Sequence, residues 1–544
     1  MDCSCIPFTQ IPQASRLFTD YLYDFARVSP FFRFDPYQQE SFFKAAQSLR
    51  YEDSLRRQVV ATLREQNRAL AAGEAGEKTF ENLEKLEQPD CYAVVTGQQV
   101  GLFTGPAFAL YKALTAIKLA RHLSDQGLKA VPVFWLASED HDLAEVNHCF
   151  LRNSEGVPQR LEYTVDPPAP DAPVGTLRFT EAILPLLEPL RAMAGDSSAG
   201  REVIEMLAEC YRPGEGFGTA FGRFIARLFA AYGVVVADQM DPRLHQLGAG
   251  VFREAIESAP TLREELIRRN RQLSDAGYHL QVRVTENSSL LFLHANGQRT
   301  ALRTRDSQFV TAQGRDYSTE ELLGILERQP ESFSPNVLLR PIFQDALLPT
   351  VCYVAGPSEL AYLGQAGALY EKLPGRMPVI FPRASFTVLE APIARLLRKY
   401  ELSFSDIHAG KQALREKLGA RFMPPDLVEN FREAQAGLEK NLEAIQTALA
   451  KLDPTLVDAA VHSGRKMQYQ LSSLERKAAA AIQSRTEQIE RDALRLENSL
   501  YPHKTLQERV YGGISLLAQY GPAFLDRVYD QISLRSRDHH VIDF

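Results

Sequence analysis

The sequence predicts an α/β protein: a Rossmann-type parallel-sheet core with connecting insertions, joined to an antiparallel α-helical coiled-coil hairpin. Three observations carry this. An apolar run over 92–95, a helical pattern over 107–126 and a second apolar run over 129–138 make a strand–helix–strand unit. Apolar residues recur at spacings of three and four from Leu427 to Leu452 and again from Met467 to Leu500. Between these regions, YHLQVRVTENSSLLFLHANGQRTALR alternates in polarity and holds Asn296-Gly297, a strong two-residue turn signal.

At 544 residues the chain is long enough for more than one domain. Its 45% hydrophobic and 24% charged content is that of an ordinary globular protein. The net charge of −7 gives no global basic field, so neither nucleic acid nor membrane is an expected partner. No apolar run approaches the roughly 18 residues of a spanning helix, and the N-terminus MDCSCIPFTQ lacks a secretory pattern. Six scattered cysteines read as reduced thiols in a cytoplasmic protein. The lone Cys3-x-Cys5 pair has no second pair to complete a zinc site.

Taken in order, 36–88 reads as helices broken near AAGEAGE. The run 92–95 is a buried strand, followed by the glycine-rich turn TGQQVGLFTGP. Pro106 suits a first helical turn, where its missing N–H is not needed, and Gly127 suits the position just past the helix end. KAVPVFWLAS is apolar throughout, as a strand covered on both faces must be. Runs at 233–238 and 377–381 add candidate strands to the same sheet, and the proline-rich 163–176 reads as a loop. The expected organisation is a core over 1–389 with an insertion near 240–330, a coiled-coil dimerisation region over 390–504, and a segment over 505–544 that returns to the core with a helix and a last strand. Arg485 falls on the apolar seam and weakens its second half.

Three stretches concentrate polar groups where an open α/β sheet binds ligands, at strand carboxyl ends. In the first, Thr96, Gly97, Gln98, Gln99 and Gly105 surround a turn that feeds a helix N-terminus, which favours a phosphate or carboxylate. The alternative is a tight turn whose polar residues satisfy their own backbone. In the second, Glu139, Asp140, His141, Asp142 and Asn147 follow the apolar strand, where ionisable groups must be solvated, paired or used. If 141–148 is helical, His141, Glu145 and His148 share one face and a metal becomes an option, but no metal ligand set is assigned. In the third, Arg340, Gln344, Asp345, Tyr353 and Glu359 lie among apolar residues. Arg340 suits a phosphate or carboxylate, or else a structural pair with Asp345. Lys504 and Arg509, just past the coiled coil, are further candidates for a nucleotide.

VVTGQQVGLFTGP, WLASEDHDLAEVNH, SPNVLLRPIFQDALLPTVCYVAGPSELAY and LQERVYG, with GYHLQV and MPVIFPRAS between them, resemble the successive signatures of the bacillithiol-biosynthesis cysteine-adding enzymes. The resemblance covers nearly the whole chain. It implies a Rossmann-type core with insertions, a helical arm that makes a homodimer, and the last step of bacillithiol synthesis, in which L-cysteine is joined through its carboxyl to the amine of glucosaminyl malate. That core is also similar to class I aminoacyl-tRNA synthetases, although their HIGH and KMSKS motifs are not recognisable here. A carboxylate does not acylate an amine unaided, so ATP or another nucleotide is the expected cosubstrate, acting through an acyl adenylate or acyl phosphate. In this reading the glutamine turn binds an anion or substrate, and Asp140, His141 and Asp142 bind an amine or hydroxyls. His141 is the expected proton acceptor, and Arg340 neutralises phosphate or malate carboxylates. Two other readings stay open at this point: a metal-dependent hydrolase of a sugar conjugate, and a non-catalytic nucleotide-binding scaffold.

Overall fold

The computed structural model describes residues 4–544 except 72–75, 154–155, 167–170, 296, 306–307, 374–375, 421–422 and 484–486. Cys3, Asn296 and Arg485, singled out above, lie outside the described residues. The apolar runs pair as strands β1 (Tyr92–Gln99), β2 (Ala130–Ala137), β3 (Val235–Asp238), β4 (Thr350–Ala355) and β5 (Val379–Pro382). They form one sheet in the order β5-β4-β1-β2-β3, every neighbouring pair parallel. The chain leaves β1 toward β2 and β3 and returns on its other side as β4. Strand order therefore reverses between β1 and β4, which opens a crevice beyond their carboxyl ends.

Both faces of the sheet are covered, which explains the unbroken apolar runs. Successive side chains of a strand point to opposite faces. Ala93 and Val95 enter one core with Val131 and Val133, while Val94 enters another with Val351 and Leu119. Helix α1 (Phe108–Asp125) follows β1, and Gly127 stands just past its end at φ 90°, where a side chain would be strained. β1 itself reaches Gln99, so Thr96, Gly97, Gln98 and Gln99 are strand residues rather than turn residues. The reason is the partner strand: Gly97, Gln98 and Gln99 pair with Trp135, Leu136 and Ala137, and that ladder continues past the last apolar side chain of β1.

The insertion holds helices Pro242–Glu257 and Ala259–Asp275 and an antiparallel sheet of five strands. Its hairpin joins Ser288–Ala295 to Gln298–Arg305. The alternation read from Tyr278 onward begins too early, since no strand covers 278–287. Helices α2 (Arg340–Leu347) and α3 (Pro357–Tyr370) flank β4. The Pro242–Glu257 helix docks on α2 through Gly248, where an added Cβ would meet Phe343 Cε2 at 2.3 Å. Phe343 is itself stacked on Phe252, with ring centroids 4.8 Å apart. Gly248→Ala is therefore expected to destabilise the protein, because an overpacking cost toward the upper end of about 1–3 kcal/mol exceeds the ~1 kcal/mol gained in helix propensity. A urea unfolding midpoint checks this.

Beyond the core, α4 (Pro425–Leu452) and α5 (Leu456–Gln483) pack against each other across a short turn, and α6 (Glu487–Leu500) follows. Phe431 and Leu442 are buried in the pair, with Leu442 closing on Gly464. The base of the arm has a core of its own, in which Ile393, Leu397, Leu414 and Leu418 meet Ile489 and Leu496. The one helix expected over ISLLAQYGPAFLDRVYDQI is two, Gly513–Tyr520 and Ala523–Gln531, parted at Gly521 with φ 69°, and the short helix Gln507–Val510 precedes them. Its last strand, His539–Asp543, pairs with Ser4–Ile6 and Phe386–Leu389. Among the described residues no helix is long and apolar enough to cross a membrane.

Candidate active site

A cavity of about 770 Å³ lies over the carboxyl ends of β1, β2 and β4. That is within the roughly 300–1,000 Å³ of small-molecule sites. Gly97, Gln98 and Gln99 of β1, Asp140 and His141 after β2, and Tyr353 of β4 all line it. β1 and β2 end side by side, so the Gln99 amide reaches Asp140 Oδ2 at 2.6 Å and Glu145 Oε2 at 3.0 Å. One NH₂ group thus bridges two carboxylates and fixes its own orientation. This end of the cavity carries negative charge.

The opposite wall is basic. Arg340, at the start of α2, donates to Tyr362 Oη at 2.8 Å, Gln344 Oε1 at 3.2 Å and Tyr353 Oη at 3.5 Å. Burial opposes its charge, but Tyr362, Tyr353 and Glu359 more than offset that and keep it a cation. It makes no ion pair among the described residues. Below it, Lys112 is buried in α1 and binds Glu359 Oε2 at 2.6 Å while also donating to the Gly97 carbonyl. Burial pushes the Lys112 pKa down against the pull of Glu359. Glu359 also accepts from Tyr353 Oη at 2.7 Å and the Gly356 N–H at 2.8 Å. Burial raises its pKa, but Lys112 and these donors outweigh that and hold it below the usual carboxylate range. A Cβ at Gly97 would stand 3.1 Å from Tyr353 Oη, so a side chain there would have to push that hydroxyl aside by a few tenths of an ångström.

Arg383 and Arg509 complete the basic wall beside Phe108, with guanidinium carbons 5.1 and 5.9 Å from its ring centroid. Arg383 is paired with the buried Glu508 at 2.6 Å. Glu508 accepts in addition from Ser385 Oγ and the Phe386 N–H. Burial pushes its pKa up, and Arg383 with these bonds brings it below the ordinary value. Arg509 makes no ion pair among the described residues.

Other residues expected at the site stand elsewhere. The turn 100–106 is not an anion cradle. Its Leu102 N–H goes to Val146 O, Ala107 N–H goes to Tyr511 O, and the Gly105 carbonyl accepts from Gly513. Gly105 therefore faces the C-terminal segment, not the cavity. Thr96 is buried and donates to Val354 O. Glu139 is buried in a pair with His245 at 2.7 Å. Asp142 is exposed and caps the turn at Glu145, and Asn147 bonds Glu162 and Tyr163. Gln344 and Asp345 lie behind Arg340; Asp345 accepts from Tyr370, and burial pushes its pKa to about 6. Arg340 thus reaches Asp345 only through Gln344. Lys504 does not line the cavity.

The face His141–Glu145–His148 does not form. A single turn, Leu143–Val146, replaces the expected helix, because His148 begins the strand His148–Arg152. Among the described residues no group of three His, Cys, Asp or Glu is placed to hold a metal.

Several residues of the site were missed in the sequence: Lys112, buried beneath Gly97, and the cavity-lining Arg299, Gln281 and Arg383. Gln281 and Arg383 sit inside GYHLQV and MPVIFPRAS, stretches quoted above only for their resemblance. Lys112 had a usable signal. It falls on the buried stripe of α1, between Ala109 and Ala116, where a lone lysine must have a partner.

Comparison with known proteins agrees with this architecture. Residues 1–384 match the family model described as bacillithiol biosynthesis BshC, N-terminal Rossmann-like domain. Residues 386–544 match that of the BshC C-terminal coiled-coil domain. A protein of Koribacter versatilis named "Putative cysteine ligase BshC" is 42% identical over 539 residues, covering 99% of each chain. Proteins of the same name from Solibacter usitatus and Salinibacter ruber are 40% identical over 542 residues, with all of both chains covered, and 34% identical over 533 residues, with 97% of this chain and 96% of the relative covered.

Proposed function

Because the chain belongs to the bacillithiol-biosynthesis BshC family, we propose that it is a cysteine ligase, joining the carboxyl of L-cysteine to the amine of glucosaminyl malate with carboxyl activation by ATP or another nucleotide. One observation supports this best: a single cavity at the switch point of the sheet is acidic at one end and basic at the other. Asp140 and Glu145, bridged by Gln99, suit a substrate ammonium. Arg340 and Arg509, neither in an ion pair among the described residues, suit phosphate or the malate carboxylates. The reactants of an amide ligation carry both kinds of group.

The nucleotide fits the basic wall on the same ground, since Arg509 and Arg340 offer guanidinium forks to a cavity of about 770 Å³. When bound it supplies the leaving group that a free carboxylate lacks. The chain's own residues do the rest. In the ligation the C–N bond forms as the bond from the acyl carbon to its leaving oxygen breaks, and the nitrogen gives up a proton. Asp140 and Glu145 are the cavity carboxylates placed to take it. Gln99 and Gln98 hold the amine end, and positioning contributes much of the rate. Cytoplasmic location belongs to the same reading, as Cys5, Cys91, Cys149, Cys210 and Cys352 are free thiols. So does a homodimer through the arm, on which Ile445 and Leu474 remain more than half exposed.

The test is purified protein with L-cysteine, glucosaminyl malate and ATP, followed by mass spectrometry. The expected product is the thiol conjugate, one water lighter than its two components, with AMP or ADP rising in step. Nucleotide binding with cysteine left unconsumed would instead leave a scaffold.

A further inference from the structure

Arg299 comes from the inserted sheet, on the strand Gln298–Arg305, yet its side chain reaches the residue that follows β2. It is buried, and all three of its nitrogens are used. Nη1 donates to His141 Nδ1 at 2.9 Å, Nε to Ser334 Oγ at 2.9 Å, and Nη2 to Pro335 O at 2.9 Å. Its guanidinium carbon lies 3.6 Å from the Phe292 ring centroid, so the aromatic ring covers one face.

A guanidinium has only donors. His141 Nδ1 must therefore present a lone pair to it, and a neutral imidazole then carries its proton on Nε2. Asp140 Oδ1 lies 3.7 Å from the same nitrogen, too far to compete for it. The network behind Arg299 is consistent with this. Ser334 Oγ accepts from Arg299, which leaves its own hydrogen for His294 Nε2 at 2.8 Å. Burial holds His294 neutral, its pKa down at about 4. Nε2 of His141 has no protein partner among the described residues, and the ring lines the cavity.

We propose that Arg299 is a positioning residue that locks His141 as an Nε2–H donor toward an oxygen of the substrate's reacting carboxyl. This deepens the ligase reading and rests on it. It also reverses the expectation that His141 is the proton acceptor, because the nitrogen free to face substrate already bears a proton. The amine proton is left to Asp140 and Glu145, and the insertion becomes a contributor to the site rather than a cover over it.

Two arms test this. In protein labelled with ¹⁵N-histidine, the His141 signal is identified by its loss in His141→Gln. Nδ1 is expected unprotonated and Nε2 protonated. Arg299→Ala is expected to give mixed tautomers, and added guanidinium ion to restore the single one. A proton on Nδ1 in the parent protein, or an unchanged tautomer in Arg299→Ala, overturns the role of Arg299. The second arm is turnover. His141→Gln, which keeps an N–H near the Nε2 position, is expected within about tenfold of the parent, while His141→Ala loses roughly 100-fold. Equal losses in both overturn the donor role. The spectroscopic arm needs no turnover, so parent protein that forms no conjugate sinks the ligase reading while leaving the Arg299–His141 lock to be decided by its tautomer.

Discussion

Lys112→Met is expected to lower the stability of the protein by about 3–5 kcal/mol, the cost of leaving one member of a buried ion pair alone. The variant fills nearly the same volume, so lost packing is a small part of the effect. What remains is the Glu359 carboxylate, 20% exposed, with its nearest cation gone. Tyr353 and the Gly356 N–H still donate to it but do not neutralise it. Lys112→Met with Glu359→Gln is expected to recover most of the loss, because the charge goes with its partner. The sign of the pH dependence follows from Glu359. Its folded pKa is below the ordinary value, so the stability it contributes is complete above ~4.3 and is lost as pH falls through the lower folded value. In Lys112→Met the lysine no longer offsets burial, so the Glu359 pKa rises relative to the parent and the gap between variant and parent narrows on acidification. Urea unfolding at neutral and acid pH measures both. Equal midpoints at neutral pH would show that the pair holds nothing.

The same pair marks how far the sequence could be read. The continuous apolar runs of β1 and β2 are legible because a doubly covered sheet demands them. The carboxyl ends of those strands were legible as a place, and Gln98, Gln99, Asp140, His141, Arg340, Tyr353 and Glu359 all come from stretches singled out there. The role of the turn was not legible. Whether an N–H in TGQQVGLFTGP is free or spent depends on Val146 and Tyr511, whose proximity is tertiary. For the same reason Gly105 looked like a ligand residue and is a contact to the tail.

Arg299 shows the harder limit. In QRTALRTR the three arginines, Arg299, Arg303 and Arg305, fall on one face of the strand by its period of two, and nothing local distinguishes them. Arg305 pairs with the exposed Asp316, whereas Arg299 turns inward to His141 and Ser334. The difference is set by which sheet end meets the core, and periodicity carries no information about that. Likewise, helical spacing put His141 and His148 on one face, but strand pairing to Glu162 claimed His148.

Arg340→Ala is expected to reduce turnover roughly 100- to 1,000-fold, the range for removing one preorganised donor from a reacting centre. The side chain is held by Tyr362, Gln344 and Tyr353, all uncharged acceptors, so its charge is oriented without being cancelled. A carboxylate partner within reach would have made it structural, and Asp345 is screened from it by Gln344 and engaged by Tyr370. Arg340→Lys is not expected to rescue, because an ammonium cannot reproduce the planar fork. The kinetic split identifies the anion. A higher KM for nucleotide places Arg340 on phosphate, and a higher KM for glucosaminyl malate places it on the malate carboxylates. A fall in kcat alone places it on charge that develops during the reaction. Because Arg340 also braces Tyr353, and Tyr353 braces Glu359, unfolding of the variant has to be measured beside its rate. A folded variant with the parent's rate would mean that this guanidinium faces the cavity without touching what binds there.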